Sequence, residues 1–148
     1  MGGQHADAGP GDSADDAGRL GAGELRLHGV KALPDQLPPV RRVLRLWAAG
    51  AGLDGDGVED LVLATDEAMA NVIDHAYPET IGRFDLDAVR GPAGGITVTV
   101  TDYGRWRSPV MSPERSLRGR GLRLMKGLAD AVGIEAGGMG TRVQMTFS

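Results

Sequence analysis

The sequence predicts an α+β sandwich, a mixed and mostly antiparallel sheet with helices on one face. Three observations carry that expectation. Four segments alternate apolar and polar residues, the period of half-buried strands: Glu24–Val30, Arg83–Val89, Ile96–Thr101 and Thr141–Phe147. Three other segments repeat apolar residues at helical spacing. The order is strand, two helices, two strands, an irregular stretch, a helix and two strands, so helices stand apart from an antiparallel meander.

The totals set the bounds. At 148 residues the chain fits one domain, a size that buries roughly 68–70% of its unfolded surface. Hydrophobic residues at 41% and charged residues at 24% are ordinary for a globular chain. No apolar run reaches about 18 residues, so a membrane span is not expected. The first residues carry no basic segment leading into an apolar core, so neither is a secretory signal. With no cysteine, disulfides and thiolate metal sites are excluded, which fits a cytoplasmic location. A net charge of −4 argues against direct binding of nucleic acid.

Residues 1–23 are rich in Gly, Ala and Asp, with Leu20 the one large aliphatic beyond Met1. Such a segment cannot offset its ordering entropy by burial and is expected to be a disordered tail, leaving 24–148 as the folded domain. In the first strand Leu25 and Leu27 point one way, and Glu24, Arg26 and His28 the other. Pro38 and Pro39 suit the first turn of a helix. Val40, Val43, Leu44 and Trp47 form its buried stripe, with Arg41, Arg42 and Arg45 opposite as a solvated face or a partner surface. Ala49-Gly50-Ala51-Gly52 ends it.

A second helix is expected from about Gly57 to Ala76. Val58, Leu61, Val62, Thr65, Ala68, Met69, Val72 and Ala76 share one broad face. Glu67 and Asn71, four apart, stack a single turn from each other on the opposite side, with Asp74 and Asp60. His75 lies at the margin, where a structural role is favoured. Tyr77 precedes Pro78, which ends the element.

The strands at 83–89 and 96–101 flank Gly91-Pro-Ala-Gly-Gly95 and read as an antiparallel hairpin. Residues 102–118 carry two Pro and no periodicity, and long irregular loops in compact domains are often lids. A helix then runs from Gly121 to about Val132, with Leu122, Met125, Leu128, Ala129 and Val132 as its stripe. A short strand at 133–137 and a Gly-rich turn lead to the last strand, with Val143, Met145 and Phe147 inward.

The P-loop and dinucleotide glycine patterns, paired zinc-type histidines and a serine elbow are all absent from the sequence. Four pieces remain: Glu67 with Asn71, Asp102-x-Gly104 at a strand end, Gly119-x-Gly121 at a helix start, and Gly140-Thr141 opening the last strand. Free N–H groups at a helix start attract anions, and glycines let a phosphate approach. Arg105, Arg107, Arg115 and Arg118 would add positive charge around it. Asp102 could accept from an exocyclic amine, Asn71 offers Mg²⁺ a neutral oxygen, and Glu67 could take a hydroxyl proton.

In order and spacing these pieces resemble the Bergerat-fold, or GHKL, ATPases. They come closest to the small bacterial anti-sigma factor serine kinases. The N box of that group looks like Glu-Ala-x-x-Asn followed by His-Ala, matched here by Glu67-Ala68-Met69-Ala70-Asn71 with His75-Ala76. Asp102-Tyr-Gly-Arg-Trp-Arg, then Arg118-Gly-Arg-Gly-Leu-Arg-Leu-Met125, is similar to the same group. Two positions depart from the superfamily pattern: Trp106 and Arg123 stand where many members have glycine.

The resemblance implies a domain that binds ATP and Mg²⁺. Glu67 would be the general base and Asn71 the metal ligand. Asp102 would bind the adenine amine, Gly104 would lie beneath the base, and Thr141 would support the adenine end. Gly119, Gly121 and Leu122 would cradle phosphates. It also implies an anti-sigma factor that phosphorylates a serine of an anti-anti-sigma protein and sequesters a sigma factor, in a family whose members commonly pair as homodimers. Two other readings stand beside it: a non-catalytic ATP-binding module that switches partners, and the catalytic part of a histidine kinase. Glu67 favours catalysis, since a pure binding module needs no base.

Overall fold

The computed structural model describes residues 19–20, 23–77, 79–105 and 120–148. Among them, six strands form one sheet: β1 (Arg19–Leu20), β2 (Glu24–Lys31), β3 (Arg83–Arg90), β4 (Ile96–Asp102), β5 (Ala131–Gly137) and β6 (Gly140–Phe147). Their spatial order is β1-β2-β3-β4-β6-β5, and each described pairing is antiparallel. Three helices, α1 (Leu37–Gly50), α2 (Gly55–Asn71) and α3 (Arg120–Leu128), complete the fold. It is the α+β Bergerat sandwich that the sequence pattern and the motif order lead one to expect.

Alternation puts Leu25 and Leu27, Phe84, Leu86 and Ala88, Ile96, Val98 and Val100, and Val143, Met145 and Phe147 on the helix-facing side of the sheet. Val40, Leu44 and Trp47 of α1 are buried there, with Val43 partly so. The whole expected stripe of α2 is buried, together with Ala64. Each large side chain taken fully out of water contributes about 1.5–3 kcal/mol, so this face is the main stabilising contact of the fold.

The helix ends follow local chemistry. Asp54 caps α2, its Oδ1 accepting from Gly57 N at 2.7 Å, which moves the start two residues ahead of the expected Gly57. Gly52, with φ +108°, lets the chain turn after α1 in a conformation that other residues rarely adopt. Two of the three arginines expected on the solvated face of α1 pair with acids of α2, while Arg42 is exposed as expected. Arg45 makes a two-armed bond to Glu59 of α2 at 2.8 and 3.1 Å, and Arg41 Nε stands 3.1 Å from Asp66 Oδ1. The bond to Glu59 raises the Arg45 pKa and lowers that of Glu59.

Three expectations are corrected. Arg19–Leu20 pairs with Arg26 and Leu25, so the sheet reaches into the stretch expected to be a tail. The expected helix through Val132 stops at Leu128. Asp130 N donates to Thr146 O and Val132 pairs with Met145, so β-branched Val132 and Ile134 serve the inner face of an edge strand. Finally, the second helix does not run evenly to Ala76: its last turn, Val72–Ala76, is π-helical.

Candidate functional site

Two clusters bring the expected site residues together. The first stands where β4 and β6 end side by side. Asp102 pairs with Thr141 across the ladder, and both take inward-facing positions that elsewhere in these strands hold Val, Ile, Met or Phe. Asp102 is 2% exposed and Thr141 4%, so a carboxylate and a hydroxyl lie at the edge of the core. Burying a charge is costly unless hydrogen bonds compensate. Asp102 Oδ1 accepts from Gly104 N at 3.1 Å and from Thr141 N at 3.3 Å.

Glycine is required on both sides of this carboxylate. Gly140 has φ +133°, and a Cβ there would lie 2.0 Å from the Asp102 carbonyl oxygen. A Cβ on Gly104 would lie 2.1 Å from Ala76 O, since the loop after β4 packs onto the end of the N-box helix. Arg105 N completes that contact, donating to Ala76 O at 2.9 Å. Arg105 itself is exposed. An open cleft of about 460 Å³ adjoins this cluster, bordered by Thr101 to Tyr103 and by Glu135 to Arg142; Glu67 and Asn71 do not line it.

The second cluster lies between α2 and α3. Glu67 and Asn71 are half-buried rather than solvated. What covers them is the first turn of α3: a Cβ on Gly121 would lie 2.9 Å from Glu67 Oε2 and 3.1 Å from Asn71 Nδ2. Met125, fully buried one turn later, anchors α3 in the core, and Leu122 packs partly against it. Asn71 Nδ2 is buried with no hydrogen-bond partner among the described residues, and an unsatisfied buried polar atom in a native fold calls for a reason. Gly119, Trp106, Arg107, Arg115 and Arg118 lie outside the described residues.

Sequence reasoning passed over several residues that tie the first cluster together. Tyr77, read only as a helix terminator, donates from its hydroxyl to Arg83 O at 2.5 Å and accepts from Tyr103 N at 2.9 Å. Tyr103 OH donates to Asp85 Oδ2. Asp85 Oδ1 also accepts at 2.8 Å from Gly29 N, in a β-bulge of β2 where Gly29 has φ +70°. The bond to Asp85 pushes the Tyr103 phenol up to about 12, and burial raises that of Tyr77. One signal was readable: Tyr77 and Tyr103 are the two tyrosines of the chain, and each adjoins a motif.

The residues fit a nucleotide with its metal on two counts. Gly121, lacking a side chain, lets the first described turn of α3 come close over the Glu67–Asn71 pair, and the Asn71 amide nitrogen there has no hydrogen-bond partner among the described residues. A half-turn of that amide presents its oxygen, the hard donor that Mg²⁺ takes beside phosphate.

Comparison with known proteins agrees with the geometry. The family model of the histidine kinase-like ATPase domain matches residues 30–147. Among solved structures, the RsbU and RsbW domains of Rv1364c from Mycobacterium tuberculosis align with 27% identity and a TM-score of 0.65, over 82% of this chain and 31% of that one. The histidine kinase domain of a blue-light-activated histidine kinase from Erythrobacter litoralis aligns with 20% identity and a TM-score of 0.57, over 90% of this chain and 66% of that one, and shares the fold. The chain thus spans about a third of the first of these proteins. Among the described residues, no helix is long and apolar enough to cross a membrane. From its second strand to its last, this chain belongs to the family of histidine kinase-like ATPase domains.

Proposed function

We propose that this domain is an ATP-dependent protein serine kinase of the anti-sigma type. It transfers the γ-phosphoryl group to a serine of an anti-anti-sigma protein and sequesters a sigma factor. The observation that carries the reading is the pair Glu67 and Asn71, one turn apart, beneath Gly121 at the start of α3. The likeness to a chain with an RsbW domain supports the partner class.

Each residue has a task that its surroundings favour. Asp102, held by two backbone N–H groups, accepts from the exocyclic amine of adenine; guanine carries a carbonyl oxygen there and is repelled. Gly104 gives the base a surface without a side chain, and Thr141 stands across the ladder from Asp102. Gly121 and Leu122, in the first described turn of α3, would offer their N–H groups to phosphate oxygens.

Asn71 holds Mg²⁺ through its amide oxygen. The ion, when bound, supplies positive charge against the phosphate oxygens. Glu67 accepts the proton of the serine hydroxyl as that oxygen bonds to the γ-phosphorus; the β–γ bridging bond breaks and ADP departs. Most of the catalysis then lies in positioning, which suits a site made of two rigid elements facing each other.

The test is incubation with labelled ATP and candidate partner proteins. Label should appear on a serine, and Glu67→Ala should abolish it while ATP still binds. Unchanged labelling removes Glu67 from the base role. Binding with no labelling by the unmodified chain supports a module that acts by binding alone.

A further inference from the structure

The geometry points to Tyr77 as the residue that positions Asp102 and thereby sets the preference for an adenine base, an inference that rests on the nucleotide reading above. The N-box helix ends in the π-helical turn Val72–Ala76. Such turns hold an extra residue and gather at functional sites. Past this one, the chain leaves helical geometry at Tyr77, with φ −131° and ψ 69°.

The Tyr77 ring occupies a slot bounded by two glycines. A Cβ on Gly82 would fall 2.2 Å from Tyr77 Cε1, and one on Gly104 would fall 2.9 Å from the same atom. The space on both sides is therefore shaped for this ring. Its hydroxyl bonds in two directions, donating to Arg83 O of β3 and accepting from Tyr103 N of the loop after β4.

Three consecutive amides of that loop are each held by a different group. Tyr103 N is held by Tyr77, Gly104 N by the Asp102 carboxylate, and Arg105 N by Ala76 O. The outer two therefore hang from adjacent residues, Ala76 and Tyr77, at the end of the helix that carries Glu67 and Asn71. The middle one fixes the carboxylate. Release of Tyr103 lets the peptide turn, and Gly104 N then leaves Asp102 Oδ1. Tyr77 acts on the base through Asp102, and it links the two clusters of the site.

A double-mutant cycle on the full chain separates this role from that of a mere filler. Mg·ATP and Mg·GTP are titrated into the unmodified protein, Tyr77→Phe, Asp102→Asn and the double variant. Tyr77→Phe keeps the ring and removes the oxygen. It should weaken ATP about tenfold, the size expected for disturbing a hydrogen bond to a charged group. GTP affinity should stay within about twofold, and in the Asp102→Asn background the same change should cost ATP less than about twofold.

Gly82→Ala provides a second route, since it presses on the Tyr77 ring from a position outside the proposed site. It should lower the ATP-over-GTP preference in the same way, and it decides the matter if Tyr77→Phe does not fold. Equal losses in both Asp102 backgrounds, or an unchanged preference in folded Gly82→Ala, would overturn the role of Tyr77. ATP binding that Asp102→Asn weakens and Tyr77→Phe leaves alone also overturns it, while the nucleotide reading stands. No ATP binding by the unmodified chain removes the nucleotide reading itself.

Discussion

The two halves of the site are built differently. At the strand end, around Asp102 and Thr141, the glycines face backbone: Gly104 meets Ala76 O and Gly140 meets Asp102 O, both at close to 2 Å for an added Cβ. The carboxylate there is held by two N–H groups. At the helix end, the nearest atoms to an added Cβ on Gly121 belong to side chains, Glu67 Oε2 at 2.9 Å and Asn71 Nδ2 at 3.1 Å. The amide nitrogen of Asn71 has no hydrogen-bond partner among the described residues. One half is fixed in advance; the other keeps a polar group unsatisfied, a pattern in which stability is given up for function. The difference matches the proposed chemistry, since a base must be recognised by a rigid surface while phosphates and metal complete what the protein leaves open.

That contrast can be broken by single substitutions. The largest effect is expected for Gly140→Ala, which places a side chain at φ +133° and against the Asp102 carbonyl. It should lower stability by about 2–4 kcal/mol in urea unfolding, and a loss under about 0.5 kcal/mol would mean that the strand end yields. Gly104→Ala should cost about 1–3 kcal/mol for the same reason, without the unfavourable φ. Gly121→Ala is the counterpart at the helix end. Side-chain tips can swing aside and alanine favours helix, so stability should hold within about 1 kcal/mol while phosphoryl transfer falls. A stability loss matching that of Gly104→Ala would erase the distinction.

Smaller effects sharpen the picture. Asn71→Ala removes an amide whose nitrogen has no hydrogen-bond partner among the described residues, so stability should change by less than about 1 kcal/mol. Mg²⁺-dependent ATP affinity should drop in the same variant; a large stability loss would show that Asn71 is structural. The smallest effect concerns pH. Because Asp85 raises the Tyr103 phenol to about 12 from an ordinary 10, its neutral form is favoured in the fold. The contribution is complete below about pH 10 and is lost as pH rises toward 12. Thermal unfolding of Tyr103→Phe across that window should therefore fall less steeply with pH than that of the unmodified chain. Identical slopes would remove the Tyr103–Asp85 bond from the account.

Much of this was legible in the sequence. The stripe from Val58 to Ala76, along α2 and the π-helical turn after it, is long and strongly periodic, and all of it is buried. Strands β3, β4 and β6 alternate cleanly, so their faces follow from parity. Where α3 ends was less legible, because Val132 satisfies both the helical and the strand period in a short segment. The π-helical turn at 72–76 has no sequence signature; its last residue and Tyr77 meet Gly104 and Gly82, which come from distant parts of the chain. The Glu67–Asn71 spacing was readable, and so was its place off the main packing face. That Gly121 closes over the pair depended on the tertiary contact between α2 and α3.

The central claim is that Asp102 and its surroundings form a ready-made site for adenine, with the reacting groups supplied from α2. Calorimetric titration of the full chain with Mg·ATP tests it most directly, beside Asp102→Asn and Glu67→Ala. The account predicts clear binding by the unmodified chain, at least about tenfold weaker binding by Asp102→Asn, and binding by Glu67→Ala within a fewfold of the original. Folded protein that gives no binding heat, or an Asp102→Asn variant that binds as tightly as the original, would contradict it.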